Sequence, residues 1–293
     1  MSVRRLLILA WAVCLGGLAA PAAAGDQPLP VLVTILPHAS LVEALAPGAV
    51  TVDVIVAPGE SPASFDPSAR RLAELARARL WLTTGAPLEP ALRPRLQALA
   101  PGLDIVDTHA GLPRLASDDH GHDHGHDHGD TDPHVWLGVR NTGAQVDVMA
   151  AALARLLPHR ADAIEAARAD LAADLAALDR DLAALLAPVR GATMFVFHPA
   201  FAYFAHDYGL VQQAIERGGM APSPRHLAQL MRSVREQGAR TVFLQPQYSD
   251  QVVRTVAREA GLDVVVLDPL ARDHLANLRR LGEALAVGLE ARP

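Results

Sequence analysis

Residues 158–187 constrain the fold more than any other stretch. Pro158 opens the segment, Pro188 and Gly191 close it, and between them Ala, Leu and Arg alternate with acidic residues. Leu171, Leu175, Leu178, Leu182 and Leu185 recur at alternating four- and three-residue steps, which lays one apolar stripe along a helix. At about 1.5 Å per residue the helix is on the order of 40 Å long, the span of a small domain. A helix with this stripe can pair with a second copy as a coiled coil, or it can cross between two lobes of one chain. The second arrangement is expected, because strand–helix alternation resumes directly after it.

The residues before the helix read as apolar, β-branched runs at 31–36, 50–56, 80–83 and 103–106. Helical spacing falls at 41–46, 68–79 and 141–157. After the helix the same grammar returns, with strands at 193–197, 210–215, 240–244 and 263–267 and helices at 225–237 and 249–260. Alternating strands and helices imply parallel sheets with helices on their faces. The expected fold class is therefore α/β, with two lobes, each a parallel sheet flanked by helices, bridged by one long rigid α-helix. The boundaries are a leader at 1–24, a first lobe at 25–157, the connecting helix at 158–188 and a second lobe at 189–293. No nucleotide-binding fingerprint occurs in either lobe.

The leader is read from Arg4 and Arg5, an apolar run over 6–20, and the small residues Ala22, Ala23 and Ala24. Cleavage after Ala24 predicts a secreted, periplasmic chain. Cys14, the single cysteine, lies inside the leader, so the mature chain has neither disulfides nor thiolate metal sites. Two of the 26 basic residues leave with the leader while all 32 acidic residues stay. That acidic balance argues against nucleic acid as a partner and suits cations.

In open parallel sheets, ligands bind beyond the carboxyl ends of the strands. His38 follows the first expected strand, and a loop containing Glu60 and Asp66 follows the second. The fourth leads to His134 in Asp132-Pro133-His134-Val135-Trp136-Leu137. In the second lobe His198 follows Phe197, and Asp268 follows Leu267. Three histidines and a carboxylate, two from each half, would form a tetrahedral site for a divalent cation between the lobes. Just before His134, residues 117–130 form a loop in which His120, His122, His124, His126 and His128 alternate with Gly and Asp. With no apolar residue to bury, it reads as a mobile, exchangeable collector of metal. His109, His159, His226 and His274 are expected on loops or helix surfaces, and His206 as a buried, hydrogen-bonded residue.

These residues resemble the zinc- and manganese-binding cluster of solute-binding proteins serving ABC importers, in particular the zinc-uptake branch with a histidine-rich loop. The most specific pieces are the Asp132–Leu137 motif, His198-Pro199-Ala200-Phe201 with the segment running on to Leu210, and Leu267-Asp268-Pro269-Leu270. The resemblance covers essentially the whole mature chain. It implies two lobes joined by a rigid helix, with His134, His198 and Asp268 at or beside the metal. It further implies Zn2+ as the bound ion, a membrane permease of an ABC transporter as partner, no enzymatic activity and a monomeric state. Manganese suits more carboxylate-rich sites.

One departure stands out. Where the family has Gly-x-Asp-Pro-His-x-Tyr-x-Pro, this chain has Gly59-Glu60-Ser61-Pro62-Ala63-Ser64-Phe65-Asp66-Pro67, so Ala63 replaces a ligating histidine. His38, a water molecule, Glu60 or Asp66 would have to supply the fourth donor, and His38 is preferred. Other functional classes compatible with the residues are a periplasmic zinc buffer or chaperone without an importer, and a zinc hydrolase. The hydrolase is disfavoured because no His-Glu-x-x-His or Gly-x-Ser-x-Gly occurs.

Overall fold

The computed structural model describes residues 27–117, 131–216, 223–248 and 250–290. The leader and the histidine-rich residues 118–130 lie outside the described residues. The first lobe contains β1 (Leu29–Val33), α1 (Leu36–Leu45), β2 (Val50–Val54), α2 (Ala69–Leu75), β3 (Leu80–Thr83), α3 (Glu89–Leu99), β4 (Asp104–Asp107) and α4 (Val139–Leu156). The connector α5 (Ala161–Leu186) follows. The second lobe has β5 (Thr193–Val196), α6 (Ala202–Tyr208), β6 (Val211–Ala214), α7 (Pro224–Glu236), β7 (Thr241–Leu244), α8 (Asp250–Ala260), β8 (Asp263–Val266) and α9 (His274–Leu289).

Both sheets are parallel and share one order, β2-β1-β3-β4 in the first lobe and β6-β5-β7-β8 in the second. The chain turns outward after the first strand of each lobe and crosses back for the third. A crevice therefore opens at the carboxyl ends of β1 and β3, and of β5 and β7. β3 and β7 are buried along their whole lengths, as central strands covered on both faces must be.

The connector packs against α4 and α9. It buries Ile164, Leu175, Leu178, Leu182 and Leu186. A stripe spaced for 3.5 residues per turn drifts on a straight helix of 3.6, and so its last buried position is Leu186, while Leu185 is 39% exposed. Gly282 of α9 admits this contact: a Cβ there would lie 2.2 Å from Leu182 Cδ2. One apolar core runs through α1, α4, α5 and α9 and includes residues of both lobes, from Val31 to Ala286. Smaller clusters lie around Trp81 in the first lobe and Phe243's neighbour Val242 in the second.

Two local expectations change. Pro37-His38 does not end a strand in a loop but lies in the first turn of α1. Proline belongs there, since its missing N–H has no helical partner to lose and its φ is already helical. Residues 84–102 carried no expected element, yet α3 occupies most of them. Pro90 sits harmlessly in its first turn, and Leu92 and Leu96 anchor it by burial.

Candidate metal centre

His134 and His198 meet between the lobes, with their Nε2 atoms 3.3 Å apart and their rings crossed at 76°. Each ring is held from behind. Asp132, itself buried, accepts the His134 backbone N–H at 2.7 Å and faces its Nδ1 at 2.8 Å. Tyr203 of α6 donates its hydroxyl to the Asp132 carbonyl at 2.9 Å, so the second lobe braces the loop that carries His134. Trp136 adds a further tie, donating Nε1 to the Pro269 carbonyl at 2.8 Å.

His198 stands two residues beyond β5. The Gln245 side chain brackets its backbone, accepting from the N–H at 3.0 Å and donating to the carbonyl at 2.8 Å. Its Nδ1 makes a short contact with Oε1 of buried Glu216, and the Tyr248 ring lies over it at 4.8 Å. Burial lowers the His198 pKa, with the Glu216 side chain opposing the shift. A carboxylate can only accept, so in the neutral imidazoles each Nδ1 carries the proton and each Nε2 is left as a bare lone pair. Two such lone pairs 3.3 Å apart repel unless a cation or proton lies between them.

The pair opens into a cavity of about 590 Å³, walled in part by Pro62, Ala63, Trp136, Pro199, Tyr248 and Leu270. Tyr248 reaches across the mouth to Ser61 with 3.4 Å between the hydroxyl oxygens. Burial pushes the Tyr248 phenol up to about 12, with its Ser61 contact opposing.

The other residues singled out by sequence fall elsewhere. His38 does not reach the pair. The first turn of α1 turns its ring into the protein interior, where it is fully buried. Beside the Gln145 amide, neither ring nitrogen makes a hydrogen bond of acceptable geometry. Burial, reinforced by His274 and His109, lowers its pKa to about 3. Asp268 is next to the cavity but not in its wall. Its Oδ1 accepts from Gln247 Nε2 at 2.7 Å and from the Leu270 N–H at 2.9 Å, and the residue lines an adjoining cavity of about 270 Å³. Gln247 lines both cavities. Glu60 is exposed, and Asp66 is drawn to Arg95 at 2.6 Å. Among the described residues, no three His, Cys, Asp or Glu side chains gather closely enough to hold an ion unaided.

Two peripheral histidines also differ from expectation. His274 is not on a surface: it opens α9 fully buried, with Nε2 3.1 Å from Thr142 Oγ1, and burial lowers its pKa to about 4. His206 is exposed rather than buried and faces Asp207 at 3.7 Å. Sequence reasoning missed Glu216, Gln245 and Tyr248. The strand-end rule would have found them, since Glu216 lies two residues past β6, and Gln245 and Tyr248 follow β7.

The model of the family described as zinc-uptake complex component A, periplasmic, matches residues 31–286. A crystal structure of ZnuA superposes with a TM-score of 0.85 at 31% identity, covering 90% of this chain and all of that one. A zinc-bound ZnuA deletion mutant superposes at 0.84, again with 31% identity, over 91% of this chain and all of its own. The zinc-binding lipoprotein AdcA of Streptococcus pneumoniae is 26% identical over 257 residues, which is 84% of this chain and 50% of AdcA. With two parallel-sheet lobes, a connecting helix and a family match over most of its length, the chain belongs to the ZnuA family of zinc-uptake solute-binding proteins.

Proposed function

We propose that the protein is a periplasmic receptor that captures Zn2+ between its lobes and delivers it to the membrane permease of an ABC transporter. The observation that carries this reading is the His134–His198 pair, each ring backed by a carboxylate and each Nε2 bare. Two tetrahedral Zn–N bonds of about 2.0–2.1 Å set their nitrogens about 3.3–3.4 Å apart. The observed 3.3 Å matches that spacing. Carboxylates on the far nitrogen fix the tautomer and raise the basicity of zinc-binding histidines. Asp132 and Glu216 act in this way.

His134 and His198 are the ligands in this reading. Asp268 steadies Gln247 and the Pro269–Leu270 wall, which supports the site from one layer out. The imidazole pair favours zinc over manganese. His120, His122, His124, His126 and His128 collect zinc weakly, and the leader directs the chain out of the cytoplasm. The core shared between the lobes argues for small opening motions during release.

Isothermal titration of the mature chain with zinc tests the reading. One tight equivalent is expected, lost in both His134→Ala and His198→Ala and retained when residues 118–130 are deleted. Unchanged affinity in the two single variants refutes the cleft site. Failure to rescue growth of zinc-starved cells would favour a buffer that is not coupled to import.

A further inference from the structure

Four-coordinate zinc needs two more donors than His134 and His198 provide. The wall that would face the pair carries Ala63 on an exposed loop. The cavity itself is large for a bare ion. Its volume of about 590 Å³ compares with roughly 30 Å³ for each water that would complete the shell, and falls within the roughly 300–1,000 Å³ of small-molecule pockets. Pro62, Ala86, Pro87, Pro199 and Leu270 give it apolar sides. The hydroxyls of Ser61, Ser64 and Tyr248 provide hydrogen-bonding points. This is the composition of a site for a small organic molecule: mostly apolar, with a few polar groups that fix orientation.

We propose that this chain takes zinc as a complex with a small bidentate chelator of the free amino-acid type, an inference that rests on the zinc-receptor reading above. One amine or imidazole nitrogen and one carboxylate oxygen from the chelator complete the tetrahedron begun by the two histidines. The chelator's body lies against the prolines and Leu270, in the space a histidine at position 63 would narrow. Charge selects the class of chelator. Asp132 and Glu216 line the cavity, and no Lys or Arg does so among the described residues. A complex with net positive charge is therefore favoured over the anionic complex that a tricarboxylate forms.

The test uses the full mature chain with three probes: zinc alone, zinc with L-histidine, and zinc with citrate. Native mass spectrometry is expected to show one zinc plus one L-histidine bound together. Calorimetry should show zinc held at least about ten-fold more tightly with L-histidine present than alone, and no ternary complex with citrate. Ala63→His restores a third protein nitrogen. Because position 63 is exposed, this change leaves the fold intact. The variant is expected to bind zinc alone more tightly and to retain no L-histidine.

The inference is overturned if L-histidine only competes zinc away from the wild-type chain, or if the wild type and Ala63→His bind zinc alone equally. It is also overturned if deleting residues 118–130 removes binding of zinc alone, because the loop's own histidines would then supply the donors. If His134→Ala binds zinc and zinc–L-histidine as well as the wild type, the receptor reading fails and the chelator inference falls with it. Ternary binding in the wild type, lost in His134→Ala, supports both.

Discussion

His38 and His198 are each the first histidine after the opening strand of a lobe, and the two sheets have the same strand order. Yet His198 faces the cavity, whereas His38 is sealed in the interior. The difference is local backbone. β5 runs into an irregular turn, where Gln245 satisfies the N–H and carbonyl of His198, so the side chain two residues on projects into the crevice. β1 runs almost directly into a helix with Pro37 in its first turn, and the helical turn rotates His38 toward α4 and α9. A histidine after a strand marks a site only when the chain stays irregular long enough to present it.

The sharpest way to break this comparison is to remove each ring. His198→Ala should weaken tight zinc binding by at least about a thousand-fold, since a metal ligand is lost outright. His38→Ala should leave zinc affinity within about two-fold, as read by competition with a fluorescent chelator. Comparable losses in both would place His38 at the ion after all.

Acid separates the pair in a different property. The folded-state pKa of His38 is depressed to about 3 from 6.5, so the unfolded chain binds a proton there that the folded chain refuses. The neutral ring is accommodated at no such cost above pH 6.5. Stability is lost as pH falls from 6.5 toward 3, by about 1.4 kcal/mol per pH unit. Between pH 6.5 and 4.5, with zinc removed, the wild type should lose about 2–3 kcal/mol more than His38→Leu in urea unfolding. His274 adds a similar loss that ends near pH 4. Parallel pH profiles for wild type and His38→Leu would show that the His38 ring is solvated.

Smaller changes probe the groups behind the cavity pair. Glu216→Gln keeps the shape but removes the carboxylate charge that faces His198 Nδ1, and zinc affinity should fall by about 10- to 100-fold. An unchanged affinity would mean that Gln245 alone orients the ring. Tyr248→Phe keeps the ring over His198 and loses only the contact to Ser61. Stopped-flow release should quicken by no more than about five-fold, in line with one weak hydrogen bond. A much larger effect would make the phenol part of the coordination shell.

Much of this architecture was readable from residue order. The leucine stripe of the connector and the repeated strands on either side specified two parallel-sheet lobes, because helical and strand periodicities are local properties of a sequence. His134 was legible for a similar reason: Pro133 before it and the apolar residues after it hold it at a defined place. Glu216 could be found by its place two residues past a strand, but its pairing with His198 could not, since that depends on β6 lying beside β5. Asp268 looked equivalent to the histidines in its motif, but its Oδ1 is engaged by Gln247 Nε2 and it lines the neighbouring cavity. That contact joins the end of β7 to the end of β8, and no spacing along the chain encodes it.

The sequence by itself determined the two lobes and the helix between them, since each follows from periodicity or from a residue's immediate neighbours. Only the tertiary structure decided which polar side chains meet. That choice depends on strand order, on where a helix begins, and on the burial of rings such as His38 and His274, all of which are set by residues far apart in the chain.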